Sequence, residues 1–371
     1  MNILVTGGAG FIGSHLVDAL IAAKHKVTVL DCLDPQVHGK NPKKPGYLNP
    51  KARFVRGFVE DQSLVKRLLK GTDVLFHEAA AVGVGQSMYE IERYTRQNTQ
   101  SAAALLQAVV DSKVKLKKMI VASSMSIYGE GLYKCSRHGM IASNLRSKAQ
   151  LKKRQWEMRC LHCDRELTAR PTPESKPLAP ESIYAINKRD HEEMFLVSGR
   201  AYGIDAVALR YFNVYGQRQA LSNPYTGAAA IFSSAILNER KPIIFEDGEQ
   251  SRDFTHVSDI VAANMLVLRH PRARDAIYNV GTGRSTSINR LVALLSKTLG
   301  WNGGADIQSA FRAGDIRHCY ADISKLKALG FKPRVRLEDG IRDLCSWVAR
   351  QRADSLSAEA KSLLVKRGLV L

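Results

Sequence analysis

Several features that would assign this 371-residue chain to a membrane or secreted class are missing. No apolar run approaches the roughly 20 residues that a transmembrane helix needs, so the sequence predicts no membrane span. The first residues enter a strand pattern directly and leave no room for a cleavable signal peptide, so we expect a cytoplasmic protein. The six cysteines are too few for a disulfide framework in a chain of this length.

Acidic residues are scarce relative to basic ones. The chain has 35 Asp and Glu against 55 Lys and Arg, which gives a formal net charge of +20. Such a surplus suits binding to nucleic acid or to a doubly charged nucleotide sugar, and it is also typical of a solvated basic surface. Charge alone does not separate these interpretations, and we expect nucleic acid not to be the main partner.

The first 31 residues form a strand, a glycine-rich turn, a helix and a second strand that ends in an acid. Asn2–Thr6 and Val27–Leu30 are short β-rich runs, and the helical pattern of Ser14–Ala23 lies between them. Glycines in such a turn let the backbone approach a pyrophosphate, which the helix N-terminus attracts. Asp31 would accept both adenosine ribose hydroxyls and repel a 2′-phosphate, so NAD is favoured over NADP. The cofactor-binding residues predicted here are Gly7, Gly10, Phe11, Ile12, Gly13 and Asp31.

The N-terminal half alternates strand and helix patterns, which predicts a parallel sheet covered by helices on both faces. We expect residues 1–210 to form a Rossmann-type NAD-binding domain that contains an insertion at 133–170. Residues 211–347 are predicted to form mainly a smaller substrate-binding lobe, with some segments returning to the first domain. Residues 348–371 are predicted to be a basic C-terminal tail.

Tyr184 and Lys188 lie four residues apart at the start of a predicted helix and therefore share one face. A lysine cation and a nearby nicotinamide cation would favour the phenolate and make the tyrosine a usable base. The strand Lys118–Ser124 ends in a hydroxyl that could bind the same reacting oxygen.

Three motifs together resemble the extended short-chain dehydrogenase/reductase family, and more narrowly its nucleoside-diphosphate-sugar epimerases and dehydratases. They are Thr6-Gly7-x-x-Gly10-x-x-Gly13, the strand end at Ser124, and Tyr184-x-x-x-Lys188. The resemblance implies that Ser124 binds the reacting sugar oxygen, that Tyr184 exchanges its proton, and that Lys188 holds the nicotinamide ribose and lowers the pKa of the tyrosine. It also implies a homodimer formed through the helical segments 89–112 and 183–198. It further assigns Ala79, Ala80 and Asn98 to the cofactor, Arg252 and Arg312 to the substrate pyrophosphate, Asn213 to the diphosphate or sugar, and Asp315 to the nucleoside ribose.

The residues after Ser124 bear on the reaction. Dehydratases and decarboxylases of the family place acids there, whereas this chain has Met125 and Ser126. The sequence therefore predicts a 4-epimerase that oxidises C4 transiently and returns the hydride to the opposite face. A 4-ketoreductase would use the same residues, and a non-catalytic NAD-binding or nucleic-acid-associated module would not need Tyr184.

The adenine contacts depart from the family pattern, which commonly has Gly-Asp after the third strand. This chain has Gly57-Phe58 there. Phe58 could pack against the adenine, or Asp61 could replace the missing acid.

The insertion carries Cys135-x-x-His138 and, further on, Cys160-x-x-Cys163. Four such ligands are typical of a structural zinc site, which would fold a segment that has no good strand or long amphipathic helix. The alternative is three free cysteines with a chance histidine, and His162 is a less suitable fourth ligand. These paired knuckles resemble those of the dTDP-L-rhamnose 4-epimerase subgroup, with UDP-glucose/galactose 4-epimerase as the nearest competitor. We also expect the insertion to cap the sugar pocket.

Overall fold

The computed structural model describes residues 1–143, 145–221, 223, 225–312, 314–351 and 357–370. The strands are β1 (Asn2–Thr6), β2 (Lys26–Asp31), β3 (Arg53–Arg56), β4 (Val74–His77), β5 (Lys118–Ser124), β6 (Leu132–Cys135), β7 (Gly139–Ala142), β8 (Thr168–Arg170), β9 (Asp205–Tyr211), β10 (Asn213–Tyr215), β11 (Ile243–Phe245), β12 (Ser251–Arg252), β13 (Phe254–His256), β14 (Ala276–Val280), β15 (Thr286–Ser287), β16 (Asp306–Gln308) and β17 (His318–Cys319). The helices are α1 (Phe11–Ala22), α2 (Pro35–His38), α3 (Gln62–Leu69), α4 (Val84–Ser87), α5 (Ile91–Thr95), α6 (Ser101–Ser112), α7 (Lys148–Lys152), α8 (Ile183–Tyr202), α9 (Ala228–Leu237), α10 (Val257–Arg269), α11 (Ile288–Leu299), α12 (Ser324–Lys327), α13 (Leu337–Val348) and α14 (Ser357–Lys366).

A seven-stranded parallel sheet forms the centre of the molecule, in the order β14-β9-β5-β4-β1-β2-β3. Apolar side chains of α1 and α10 cover one face, and those of α3, α6 and α8 cover the other. The Rossmann-type α/β prediction is therefore confirmed. Because the chain order reverses between β1 and β4, the carboxyl ends of these strands open a crevice in which ligands bind.

The smaller lobe is built mostly from residues after 211. Its core joins α9, α11 and α13, while β11 pairs with β16 and β12 lies between β15 and β17. Two segments from this half return to the first domain, since β14 completes the large sheet and α10 packs against α1.

The long helix expected over residues 89–112 forms from Ile91 to Ser112 and contains a π-helical turn. This turn, at Arg96–Gln100, separates α5 from α6. Such turns insert one extra residue, which rotates the side chains that follow and often marks a functional position. Here the turn buries Asn98 beneath the loop that follows β4.

The insertion contains strands, contrary to the sequence prediction. β6 pairs antiparallel with both β7 and β8, and the sheet shares a small core with Tyr133, Met158 and Leu167. Strands of three or four residues are too short to show a two-residue hydrophobic period, which explains why the pattern was missed.

In the described part of the chain, no helix is long and apolar enough to cross a membrane. The predicted basic tail contains α14, which begins after the undescribed residues 352–356 and packs on the rest of the protein.

Candidate active site

The glycine turn has the close contacts that a dinucleotide site requires. Gly7 has φ +71°, and a Cβ built on it would lie 2.5 Å from the Ala79 nitrogen. A Cβ on Gly13 would lie 2.2 Å from the Gly7 carbonyl oxygen. Side chains are therefore excluded where the backbone must approach phosphate, and the helix N-terminus at Gly10 faces the same space.

Asp31 ends β2 at the rim of this turn and is only 8% exposed. Its carboxylate accepts hydrogen bonds from the Ala9 and Leu33 amides, at 3.0 and 2.9 Å. It thus holds the turn in place while still lining the cavity, where its negative charge disfavours a 2′-phosphate. These residues fit an NAD molecule bound along the crevice.

The other predicted cofactor residues divide into two groups. Ala79 and Ala80 line the cavity together with Phe11 and Ile12. Asn98 does not line it, because its side chain bonds both the amide and the carbonyl of Ala81, at 2.7 and 3.1 Å. Asn98 therefore fixes the conformation of the loop that is predicted to contact the cofactor.

The Phe58 ring is 60% exposed and lines the cavity beside Gly57. Asp61 instead caps α3, where it accepts a hydrogen bond from the Leu64 amide at 2.9 Å. Of the two adenine alternatives, Phe58 is therefore the better placed.

Ser124, Tyr184 and Lys188 meet at the carboxyl end of β5. Ser182 caps the start of α8, which places Tyr184 and Lys188 one turn apart against the strand. The Lys188 ammonium donates to the Ala122 carbonyl at 2.8 Å, and the Tyr184 hydroxyl lies near the Ser124 hydroxyl. Three reactive groups predicted from two separate motifs thus line the same cavity.

Burial controls the protonation of this group. It raises the pKa of Tyr184 to about 12, an effect that the Ser124 hydroxyl partly opposes. Burial lowers the pKa of Lys188 to about 8, and the nearby Glu78 carboxylate partly opposes this shift. The positive charge of a bound nicotinamide would favour the phenolate, so we expect cofactor binding to lower the pKa of the tyrosine.

Glu78 is a cavity residue that the sequence analysis did not single out. Burial raises the pKa of its carboxyl to about 7, and the side chain hydrogen-bonds to the Tyr211 hydroxyl at 2.8 Å. The available signal was an acid at the start of an otherwise small-residue turn after the buried strand β4.

The predicted substrate residues line the same cavity as the cofactor turn. Asn213 and Arg252 line it, and the Asn213 amide oxygen is buried without a hydrogen-bond partner. The Arg252 guanidinium donates hydrogen bonds to the backbone carbonyls of residues 251, 316 and 317, which occupy most of its N–H groups. Its position is therefore fixed, and few of its donors stay available to a substrate.

Arg312 and Asp315 also line the cavity and form an ion pair at 2.8 Å, while the Arg312 guanidinium lies 4.9 Å from the centre of the Phe245 ring. Burial of Asp315 is outweighed by the cations of Arg312 and Arg252, which hold the pKa of its carboxyl below the usual range. The contact of Asp315 with a nucleoside ribose remains a prediction.

The two predicted ligand pairs of the insertion, Cys135/His138 and Cys160/Cys163, lie next to each other in the structure. One ligand atom each from Cys135, His138, Cys160 and Cys163 lies within 4.8 Å of the others. The Cys135 and Cys163 sulfurs are 3.7 Å apart, close to the ~3.8 Å edge of a tetrahedron with Zn–S bonds of about 2.3 Å. The Arg137 amide points at the Cys135 sulfur at 3.4 Å and is the main reason that the pKa of this thiol falls to about 6.

A buried cluster of charges joins the insertion to the smaller lobe. Arg146 pairs with Glu246 through two hydrogen bonds of 2.8 Å. Arg317, which is fully buried, contacts Glu246 at 3.0 Å, Asp247 at 2.7 Å and Glu157 at 2.5 Å. We call these five residues the inter-lobe cluster, and Glu246 directly follows Phe245 at the cavity wall.

The family described as "NAD dependent epimerase/dehydratase family" matches residues 3–150 and 163–281. The chain is 34% identical to a dTDP-L-rhamnose 4-epimerase from Burkholderia thailandensis, covering 94% of this chain and 95% of that protein. Its fold is similar to UDP-glucose 4-epimerase with UDP-glucose from Thermotoga maritima, with a TM-score of 0.77, 32% identity and coverage of 94% and 99%. The UDP-glucose 4-epimerase complex with NAD from Thermus thermophilus gives a TM-score of 0.74 at 28% identity, with coverage of 95% and 100%.

Proposed function

Because this chain belongs to the NAD-dependent epimerase/dehydratase family, we propose that it inverts C4 of a nucleotide sugar, acting on a dTDP-6-deoxyhexose such as dTDP-L-rhamnose. At the coarser level it is an NAD-dependent nucleotide-sugar epimerase of the extended short-chain dehydrogenase/reductase group. The observation that carries the proposal is the convergence of Ser124, Tyr184 and Lys188 on one cavity with the glycine turn and the Arg312–Asp315 pair. That cavity, of about 690 Å³, is continuous from Asp31 to Arg312.

The residues divide the reaction between them. Tyr184 takes the proton of the C4 hydroxyl, and Ser124 holds the same oxygen in line. Bound NAD supplies the reversible hydride transfer. Arg312 would retain the diphosphate while the 4-keto sugar turns over, so that C4 takes the hydride back on its opposite face and Tyr184 returns the proton to the C4 oxygen.

The similarity to the Burkholderia thailandensis enzyme supports the dTDP-6-deoxyhexose. The similarity to the Thermotoga maritima enzyme with UDP-glucose keeps UDP-glucose/galactose as the second candidate. We would incubate the purified protein with dTDP-L-rhamnose or UDP-galactose without added cofactor and follow the C4 configuration by NMR. Inversion of the first sugar supports the proposal, and inversion of only the second moves the substrate to UDP-hexoses. Turnover of a 4-keto sugar only with added reductant would replace the epimerase by a reductase.

Tyr184→Phe tests whether the cavity is catalytic. Loss of the proton-exchanging hydroxyl should reduce kcat by about 10²–10⁴-fold while bound NAD is retained. Tyr202→Phe, at an exposed position of the same helix, is the matched control and should keep full activity. An active Tyr184→Phe protein would contradict the mechanism and would leave the chain as a non-catalytic NAD-binding module.

We infer that Cys135, His138, Cys160 and Cys163 hold one structural zinc ion. Four protein ligands leave no open coordination position, and Cys135 and Cys160 belong to the small core of the insertion, whereas His138 is exposed at its edge. Elemental analysis should find about one zinc per chain, reduced by His138→Ala and retained in His162→Ala. Equal zinc content in these two variants would contradict the predicted ligand set.

A further inference from the structure

The C-terminal helix α14 lies against the cavity, beyond the part of the chain that the family match covers. Its residues Lys361 and Leu364 line the cavity, as does Leu369 just after the helix. The predicted basic tail therefore contributes a wall of this cavity.

Two contacts attach this helix to the cofactor side of the cleft. Leu364 is 7% exposed and packs on α4, where a methyl group built on Gly85 would lie 3.4 Å from its Cδ2. The Arg367 guanidinium lies 5.7 Å from the centre of the Tyr89 ring, and the Tyr89 hydroxyl in turn hydrogen-bonds to Tyr225.

Two further contacts attach it to the smaller lobe. The Lys361 ammonium donates to the Gln308 side-chain oxygen at 2.5 Å, and Val370 forms an antiparallel bridge with Arg312. The segment thus spans the cleft from one lobe to the other. One of the residues that it contacts, Arg312, is a predicted ligand of the pyrophosphate.

The position of Lys361 places a cation beside the predicted diphosphate site. Gln308 is the register partner of Phe245, and the Phe245 ring carries the Arg312 guanidinium. Lys361 therefore brings a third positive group to the region of Arg252 and Arg312. Lysine suits this task because its flexible stem can carry the ammonium from Gln308 to a phosphate oxygen.

We propose that residues 357–370 are a substrate-binding element and that Lys361 binds the diphosphate of the nucleotide sugar. The inference rests on the proposed function for the nature of the substrate. The Gln308 oxygen holds the ammonium in the site, and a diphosphate of two negative charges replaces this neutral acceptor when the substrate binds.

The test is calorimetric binding of dTDP and of UDP to the NAD-loaded full-length protein, with thymidine and uridine as ligands that lack phosphate. Lys361→Ala should bind the preferred diphosphate about tenfold more weakly, since a charge-assisted hydrogen bond is lost, and should bind the nucleoside as wild type does. Lys361→Arg should restore most of the affinity. Lys366→Ala, an exposed lysine on the same helix, is the matched control and should leave binding unchanged.

A variant truncated before Ser357 lacks the whole helix α14. Comparing it with Lys361→Ala separates the effect of the helix from the effect of its lysine. The truncated variant should lose at least as much diphosphate affinity as Lys361→Ala, and Leu364→Asp, which undocks the helix from Gly85, should behave similarly. Wild-type affinity in Lys361→Ala would overturn the inference and leave the proposed function standing. A wild-type protein that binds neither dTDP nor UDP would overturn both.

Discussion

Glu78 is an enclosed carboxyl whose charge acts on Lys188, one of the reacting residues. Burial outweighs its hydrogen bond to Tyr211, so the folded protein holds the proton up to a pKa of about 7. Near neutral pH this carboxyl therefore titrates, and a negative charge develops at this point of the cavity wall as the pH rises.

This group makes stability depend on pH in a defined direction. The pKa of Glu78 is raised on folding, so its contribution to the free energy of unfolding is fully present below about pH 4.5 and lost as the pH rises through about 7. Relative to Glu78→Gln, the wild type should lose on the order of 3 kcal/mol across that window. Denaturant unfolding at a series of pH values measures the difference. Glu193→Gln, at an exposed position of α8, is the control, and a flat difference for Glu78→Gln would contradict the argument.

Single residues show well what sequence can and cannot provide. Tyr184, Lys188 and the glycines were predictable because each is tied to a local spacing. Glu78 and Lys361 were not, since their importance arises from contacts with Tyr211 and Gln308, which are distant in the chain.

At the scale of elements, the inter-lobe cluster links the insertion to the turn that follows β11 and Phe245. Glu246 adopts φ +57°, a left-handed conformation that is unusual for a residue other than glycine. Arg146 and Arg317 form ion pairs with the Glu246 carboxylate. These contacts offset the free-energy cost of the left-handed conformation. The insertion therefore helps to set the backbone at the wall of the cavity.

Arg146→Ala should reveal this coupling. Removing one partner from a buried ion pair costs about 3–5 kcal/mol, and the backbone at Phe245 and Glu246 should shift, so KM should rise more than kcat falls. Arg159→Ala breaks an exposed pair with Asp164 in the same insertion and should cost less than about 1 kcal/mol. Chemical denaturation and steady-state kinetics test both variants. Equal effects of the two substitutions would show that the insertion is not coupled to the site.

The elements of the large sheet were largely predictable, and those of the insertion were not. The observed β5 has the predicted bounds, because its long buried run gives an unambiguous apolar pattern. The pairing of β6 with β8 joins residues on opposite sides of the knuckles, and no local pattern encodes that pairing. The same holds for α14, whose docking on Gly85 depends on tertiary contact.

At the scale of the whole molecule, the predicted dimer remains to be tested. Val197 is 56% exposed on α8, a helix that packs beside α6. If these helices pair between two copies, Val197→Glu places two charges in the interface and should give a monomer in size-exclusion chromatography with light scattering. Met140→Glu, an equally exposed change in the insertion, should leave the dimer intact. A monomeric wild type would exclude the predicted assembly.

The inter-lobe cluster has a consequence for protein engineering. A designer who moved residues 132–170 into a related scaffold would take Arg146 and Glu157 away from Glu246, Asp247 and Arg317. The recipient would gain an arginine and a glutamate without the partners that neutralise them here, and the donor chain would lose the Glu157 partner of Arg317 and the Arg146 partner of Glu246. The insertion is contiguous in the chain but not self-sufficient, so its transplantable unit is the segment together with three residues of the other lobe.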